Sequence, residues 1–405
     1  MIKLNRACLF AASAIVIANP AYAEVHNVAP GEGAQERLQE ALILAEPGDE
    51  IVLGAGRFEL ADGLSLDVDG VTLRGSGMDQ SVLDFTSQQG AGEGLLVTSD
   101  NVTLRDFAVE NPKGDGIKSK GADNIVYHKV RVTWTSGPVS TNGAYAIYPV
   151  ESTGVLVDSV VVSGASDAGI YVGQSKDITV RKSIAQYNVA GIEIENSRNA
   201  VVEDNLATHN TGGILVFDLP DLPVMGGGDV IVRRNLVTAN DEANFAPPGN
   251  IVGGVRKGTG ILVMANDNVR IHDNLLSDND TAHIMIVTYV LPFTDESYNP
   301  YPRNVVIGQN NYSGGGTDPQ FEGKEMLLAA FGGALPPVLW DGLSQDGTQS
   351  LYAIAGTPGW SLNLPAQGAS PDQASPGPLS VPVPETEMAD CWAGAPAALD
   401  DRIAG

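Results

Sequence analysis

The chain has 405 residues, with 49 Asp+Glu against 23 Lys+Arg and a formal net charge of −26. Such a field argues against nucleic acid or an anionic membrane as partner, although a local basic cluster or a bound cation could still hold an anionic substrate. Two cysteines rule out a disulfide-rich scaffold, and no apolar run is long enough to span a bilayer as a helix.

Residues 1–23 read as a cleavable export signal. Lys3 and Arg6 give a positive start, 7–18 is largely apolar, and Ala21-Tyr22-Ala23 is a small-x-small cleavage site. Cys8 lies too early for a lipoprotein acylation site. Cleavage leaves a more negative chain starting at Glu24, destined to be secreted or periplasmic. Its one cysteine, Cys391, allows no intrachain disulfide and reads as an inert tail residue or an intermolecular attachment point.

Residues 24–70 read as an N-terminal cap. Leu38, Ala41, Leu42 and Ala45 recur at helical spacing, and Pro47-Gly48 ends the helix. An amphipathic helix there would cover the open end of a repeat array, which otherwise exposes unpaired strand edges.

Residues 71–315 carry a repeat of 22 or 23 residues where no insertion interrupts, as from Asn101 to Asn124 and from Asp177 to Asn199. Each copy reads Asn/Asp-x-Val-x-Val, a small polar turn, then Gly-Ile-x-Val. This is one coil of a solenoid of short strands, with alternate aliphatic side chains inside. The first strand recurs as Val71-Thr-Leu, Val102-Thr-Leu, Ile125-Val-Tyr, Val155-Leu-Val, Ile178-Thr-Val, Val201-Val, Val230-Ile-Val, Val269-Arg-Ile and Val305-Val-Ile. Asn205, Asn235, Asn274 and Asn310 fall at one turn, and Asn188, Asn210, Asn240 and Asn279 at the next. Stacked Asn side chains can hydrogen-bond along the axis, and Asn tolerates the left-handed backbone of tight turns, so these columns read as structural ladders. Residues 316–368 lose the period and read as an irregular C-terminal cap region, with a short helix near Glu325–Phe331. Residues 369–405 read as a Pro-rich linker and a tail that could dock elsewhere, on a protein partner among others.

The stretches 41–53, Gly56-Arg-Phe and Val71-Thr-Leu-Arg-Gly-Ser-Gly resemble the N-terminal cap of the pectate-lyase-like superfamily. Asn142-Gly-Ala-Tyr-Ala-Ile-Tyr-Pro, 164–175, 191–197 and 213–220 resemble exported bacterial parallel β-helix repeat proteins. The resemblance spans roughly 30–315. It implies an all-β, right-handed, single-stranded parallel β-helix with a helical cap and an irregular tail. It implies an activity only loosely, since the catalytic signatures of polygalacturonases, mannuronan epimerases and pectate lyases are not evident.

Chemistry is expected on the outward face of the Gly-Ile-x-Val strand. Its first outward slot holds Lys118, Tyr148, Tyr171, Glu193, Leu215, Leu262 and Met285; its second holds Lys120, Val150, Gly173, Glu195, Phe217, Met264 and Val287. Insertions at 134–144, 218–228, 241–258 and 289–303 flank this strand and would wall a groove, in which Trp134, Phe245, Phe293, Tyr298 and Tyr301 suit a sugar ring; Phe217 counts as a further substrate contact and, with Leu215, Leu262 and Met264, as a sign of cover by the loops. Three site chemistries fit. Glu193 and Glu195 could work with Asp218 or Asp167 as the acids of a glycoside hydrolase. Lys118, Lys120 and Tyr171 could serve a lyase or epimerase on a uronate, with Tyr148 beside them. Glu193, Glu195 and Asp218 could bind Ca²⁺, though their spacing fits no fixed motif. Glu and Lys on a strand are ordinarily a solvated face; here clustering beside insertions favours a site. The function expected is an exported carbohydrate-active or carbohydrate-binding protein with an anionic polysaccharide as ligand; the alternative is a non-catalytic binding or envelope-interaction protein.

Overall fold

A computed structural model describes residues 23–379, except 91 and 349, together with 392–404. Most of the segment read as an export signal, Cys8, Cys391, Pro382 and Pro384 lie outside the described residues. No helix among the described residues is long and apolar enough to cross a membrane.

The repeat becomes a solenoid of parallel strands, three to a coil. The first two strands of each coil merge into one bent 20-stranded sheet, and the third strands stack into a 12-stranded sheet. Strict alternation sends the aliphatic half of each strand inward. The coil at Ile178, Val180, Ala185, Ile192 and Ile194 is filled entirely by fully buried aliphatic side chains. The first coils are filled by larger ones, namely Phe58, Phe85, Phe107 and Tyr127.

The expected first-strand register holds at Ile125↔Val155, Val155↔Ile178 and Val230↔Val269. One coil slips by a residue. Ala200, not Val201, pairs with Ile178 and Val230 and faces the core, which puts Val201 outside.

The Asn/Asp that opens each copy is explained by its backbone. Asn101, Asn124, Asp177, Asn199, Asp229, Asn268 and Asn304 all have φ between 51° and 60°. Asn and Asp reach this left-handed region most readily after glycine. The two Asn columns are ladders, as expected. Asn205 donates to Asn235, Asn235 to Asn274 and Asn274 to Asn310, each at 3.0 Å. Asn188 donates to Asn210 at 3.0 Å, Asn210 to Asn240 at 3.1 Å and Asn240 to Asn279 at 2.9 Å. The ladder residues are not themselves the left-handed ones. That role falls on the residue before, such as Tyr187, His209, Ala239, Asp204 and Arg234. Such residues bear a steric cost of about 1–2 kcal/mol each, which the ladder bonds offset.

The cap helix runs Ala34–Leu44 and buries Ala34, Leu38 and Leu42. The cap is also the start of the solenoid itself, because 25–28 pairs with 50–53, which pairs with 72–74. At the other end, stacking continues beyond residue 315. Val338–Trp340 pairs with 284–286, Leu351–Ala353 with 305–307, and Gly359–Ser361 with Val338–Trp340. The period fades there because long connections, one holding the helix Lys324–Ala330, separate strands that still stack.

The chain end does dock, but on its own solenoid. Gly394 and Ala395 donate their N–H groups to Asn199 and Thr179. Leu399 packs on Val126 and Leu156. Arg402 donates to Thr103 Oγ1 and to the Asn124 carbonyl.

Candidate functional site

The outward face of the 12-stranded sheet has the expected slots. Lys118 lies beside Tyr148, Tyr171 beside Glu193, and Glu193 beside Leu215; Glu195 lies between Gly173 and Phe217. The next coils add Leu262 and Met285 in the first slot. Polar and ionisable groups therefore occupy the N-terminal half of the strip and apolar groups the C-terminal half.

Three of the expected insertions close over it. The 218–227 loop is held by Asn196, which donates to the carbonyls of Leu219 and Val224 at 2.8 and 3.0 Å. The 288–303 loop locks onto that loop through Tyr298 Oη to the Asp218 carbonyl at 2.6 Å and Thr294 Oγ1 to Asp221 at 2.7 Å. From the 241–258 loop, Asn250 donates to Asp167 Oδ2 at 3.1 Å. Beneath them lies a second apolar cluster outside the solenoid core, in which Leu215, Phe217 and Leu262 meet Val252, Val255, Tyr289 and Tyr298.

The polar half is a buried network. Tyr171 Oη donates to Glu195 Oε1 at 2.6 Å. Glu193 is 3% exposed, and its Oε2 finds no hydrogen-bond partner among the described residues. Burial pushes the Glu193 carboxyl well above the usual carboxylate range, and the charges of Asp167 and Glu195 add to the push. Glu195 rises to about 6 by burial, opposed by hydrogen bonds from Tyr171 and Glu193. Asp167 rises to about 7 by burial and by the charge of Glu195. Two neighbouring carboxyls in a dry site cannot both ionise cheaply, so Glu193 keeps its proton and Glu195 carries the charge. Tyr171 is raised by burial and by Glu195, which keeps it a neutral donor.

The network extends toward the first coils. Tyr145, Tyr148 and Tyr171 form an aromatic triangle with ring centroids 4.4–5.0 Å apart. Lys118 Nζ sits 4.9 Å from the Tyr148 ring centroid. It is paired with Glu93 at 3.2 Å and Asp115 at 3.8 Å. Burial raises Asp115 to about 6. Five carboxyls, those of Glu93, Asp115, Asp167, Glu193 and Glu195, thus lie along the strip with the Lys118 ammonium group.

Of the residues singled out from sequence, Glu193, Glu195, Asp167, Tyr171, Tyr148 and Lys118 come together. Lys118 and Glu193, three coils apart, are linked through the tyrosines. Four residues take other roles. Asp218 accepts from the N–H groups of Gly226 and Gly227 and shapes its loop. Lys120 is largely exposed and pairs loosely with Glu151. Phe217 is sealed in the apolar cluster and presents no platform to a sugar. Trp134 belongs to the solenoid interior, its Nε1 donating to the Pro112 carbonyl at 2.7 Å. Its position just after the strand Ile125–Thr133 and before a turn points the indole inward rather than into a loop.

Tyr145 and Asp115 were missed, and the one readable signal was a recurring column out of phase with the alternation. The strand has a third outward slot, three residues before the first, holding Tyr145, Ala168, Ala190 and Gly212 in register. Asp115 holds the corresponding position two residues before Ile117. Asn250 had no such signal, because it sits in an insertion and its partner lies 83 residues away. Among the described residues no group of three or more His, Cys, Asp or Glu is arranged to hold a metal ion.

Residues 69–222 match the family model described as a right-handed β-helix region. The structure resembles the A-module of the Azotobacter vinelandii mannuronan C-5 epimerase AlgE4, with TM-score 0.52, 18% identity, and coverage of 81% of this chain and 94% of that one. It resembles an alginate lyase from Paenibacillus sp. str. FPU-7, with TM-score 0.51, 17% identity and coverage of 72% and 98%. It also resembles DFA-IIIase from Arthrobacter chlorophenolicus A6, with TM-score 0.53, 13% identity and coverage of 82% and 94%. No curated protein matches in sequence. What is shared at these identities is the right-handed parallel β-helix fold.

Proposed function

We propose that this right-handed parallel β-helix is an exported carbohydrate-active protein in which Glu193 and Glu195 form the acid–base pair of a glycan-cleaving centre. The observation that carries the reading is the buried, partnerless Glu193 Oε2 beside a carboxylate fixed by Tyr171. Stacking requires no acid in that slot, and an unsatisfied buried polar group costs about 1–3 kcal/mol. Glu193, protonated at neutral pH, is suited to protonate a glycosidic oxygen. Glu195, ionised and held by Tyr171 and by the Glu193 proton, acts as base or nucleophile once the substrate parts the two carboxyls to the roughly 5–9.5 Å that glycoside hydrolysis uses. Burial first, and then the charges of Asp167, which is held by Asn250, and of Glu195, keep the proton on Glu193.

Lyase or epimerase chemistry on a uronate asks for a basic Tyr or Lys and a free cation. Tyr171 is instead held neutral, and Lys118 is paired with two carboxylates. The geometry therefore supports hydrolysis above elimination, and a neutral glycan above an anionic one. The named activities of the alginate lyase and the mannuronan epimerase support a polysaccharide as ligand. The leader pattern in residues 1–23 supports export.

Purified full-length protein on a panel of alginate, polygalacturonate, linear neutral glucans and a fructan should release reducing ends without unsaturated products. Glu193→Gln and Glu195→Gln should each reduce turnover by about 100-fold or more, the usual contribution of general acid–base catalysis. Unsaturated products, or unchanged turnover in either variant, would sink the mechanism. Glycan binding without any turnover would favour the non-catalytic alternative.

A further inference from the structure

From Lys118 to Leu215 the strip is graded from open to closed along the solenoid axis. The Lys118 side chain is 23% exposed and Tyr145 and Tyr148 are half-buried. Tyr171 and Glu193 are buried, and Leu215 is fully buried. The roof explains the direction. All three of its loops arise at or after the coil of Phe217, and two lean back toward the N-terminus. Asn250 reaches Asp167, and the Val224 N–H reaches Gln174 Oε1. They stop at the coil of Tyr171. Past the carboxyl pair, Leu215, Phe217 and Leu262 are sealed against Val252, Val255, Tyr289 and Tyr298, and the two outer loops are tied together by Tyr298–Asp218 and Thr294–Asp221.

We infer that the strip is a blind-ended groove, entered from the Lys118 side, which accepts only the end of a saccharide chain, so that the protein is exo-acting. The inference rests on the function proposed above. An internal stretch of polymer needs a groove open at both ends, because chain continues on either side of the bond attacked. Here chain can leave only past Tyr171, Tyr148 and Lys118. On the far side of Glu193 and Glu195 the apolar cluster fills the path, and a continuing chain would have to displace it and strand its polar hydroxyls among Leu and Phe side chains. The ring triangle of Tyr145, Tyr148 and Tyr171 at the mouth presents apolar faces with hydroxyl edges, the combination that suits the C–H face and rim of a sugar ring. The carboxyl pair is about three coils, roughly 14 Å, from the Lys118 backbone. The seal begins at Leu215, directly beside Glu193, so the product released on the closed side is short.

The test uses the wild-type full chain and whichever polymer of the panel it cleaves. Solution viscosity, reducing-end release and product size are followed together from the earliest time points. The expected result is one short product from the start, with viscosity almost unchanged while reducing ends accumulate. A rapid fall in viscosity with a ladder of intermediate lengths overturns the exo inference and leaves the catalytic reading standing. No turnover on any member of the panel removes the catalytic reading and the exo inference with it.

Discussion

Tyr171 and Glu195 lie 24 positions apart and on adjacent coils, yet the Tyr171 hydroxyl donates to Glu195 Oε1 at 2.6 Å in a largely buried site. The bond favours the ionised form of Glu195 and opposes the upward push of burial. Tyr171→Phe removes that donor and little volume. The Glu195 carboxyl should then titrate higher, so the acidic limb of the pH–activity profile should move to higher pH. Stability at pH 7 should fall by about 1–3 kcal/mol, the cost of leaving a buried acceptor unsatisfied. A pH profile of turnover together with denaturant unfolding checks both; an unmoved acidic limb would remove Tyr171 from the site.

The buried acids make the fold pH-dependent in a set direction. Glu193, Glu195 and Asp167 all titrate above their ordinary values of 4.5, 4.5 and 3.8, with Glu195 at about 6 and Asp167 at about 7. Below those ordinary values they are neutral in both the folded and unfolded chain, and burying them costs no charge. Above them the unfolded chain ionises first and binds fewer protons, so stability declines as pH rises toward and through the folded values. Unfolding free energy should therefore drop between about pH 4.5 and 7. Glu193→Gln keeps the shape and removes the acid. It should match wild type near pH 4.5 and exceed it at pH 8 by roughly 1–3 kcal/mol. Urea unfolding at the two pH values decides the matter. A variant less stable than wild type at pH 8 would mean that Glu193 is held by contacts that favour its charge.

The ladders carry the opposite expectation, a structural role with no pH signature. Asn210 donates to Asn240 and to the Ala185 carbonyl and accepts from Asn188. Asn210→Ala strands all three partners in a fully buried corner and should cost about 2–4 kcal/mol. Asn250→Ala, on the roof loop, should cost less than about 1 kcal/mol while lowering turnover. Paired unfolding and activity measurements on the two variants separate a scaffold asparagine from a site asparagine.

That contrast also marks what could be read from the sequence. The coil register, both ladders and the two outward slots follow from a strict period of two along each strand, so every position in the repeat has one side-chain direction. Glu193, Glu195, Tyr171 and Lys118 were legible for that reason. Ala200 shows how narrow the margin is: a small residue in an aliphatic column shifts the apparent register by one. The roof was legible only as insertions, because 218–227, 241–258 and 288–303 have no period and their contacts are tertiary. Trp134 was misplaced from the same cause, since an aromatic residue near a loop can face groove, roof or core and only packing decides, while the loop cover expected over Phe217 is there. The docked tail left a trace nobody would assign to a tail: Val126 and Leu156 occupy outward slots that solvent should fill with polar residues.

Those two side chains frame the last prediction. In a solenoid each coil touches only its neighbours, so stability is close to a sum of local terms and the ends can fray independently. The tail breaks that rule. It runs from Asn199 through Thr179 and Leu156 to Asn124 and Thr103, and it joins coils that do not otherwise meet. Arg181 adds an ion pair to Asp400 and also binds Asp158. Leu399→Ala combined with Arg402→Ala should therefore do two things. It should lower stability by about 2–5 kcal/mol through the lost burial of Leu399 and the broken Arg402 bonds. It should also speed amide exchange across the first strands from Thr103 to Arg181, well beyond the residues directly touched. Turnover should stay at the wild-type level, because the tail lies on the 20-stranded sheet and Glu193 on the other. Exchange that quickens only at Thr103 and Asn124 would reduce the tail to a local patch and leave the coils independent.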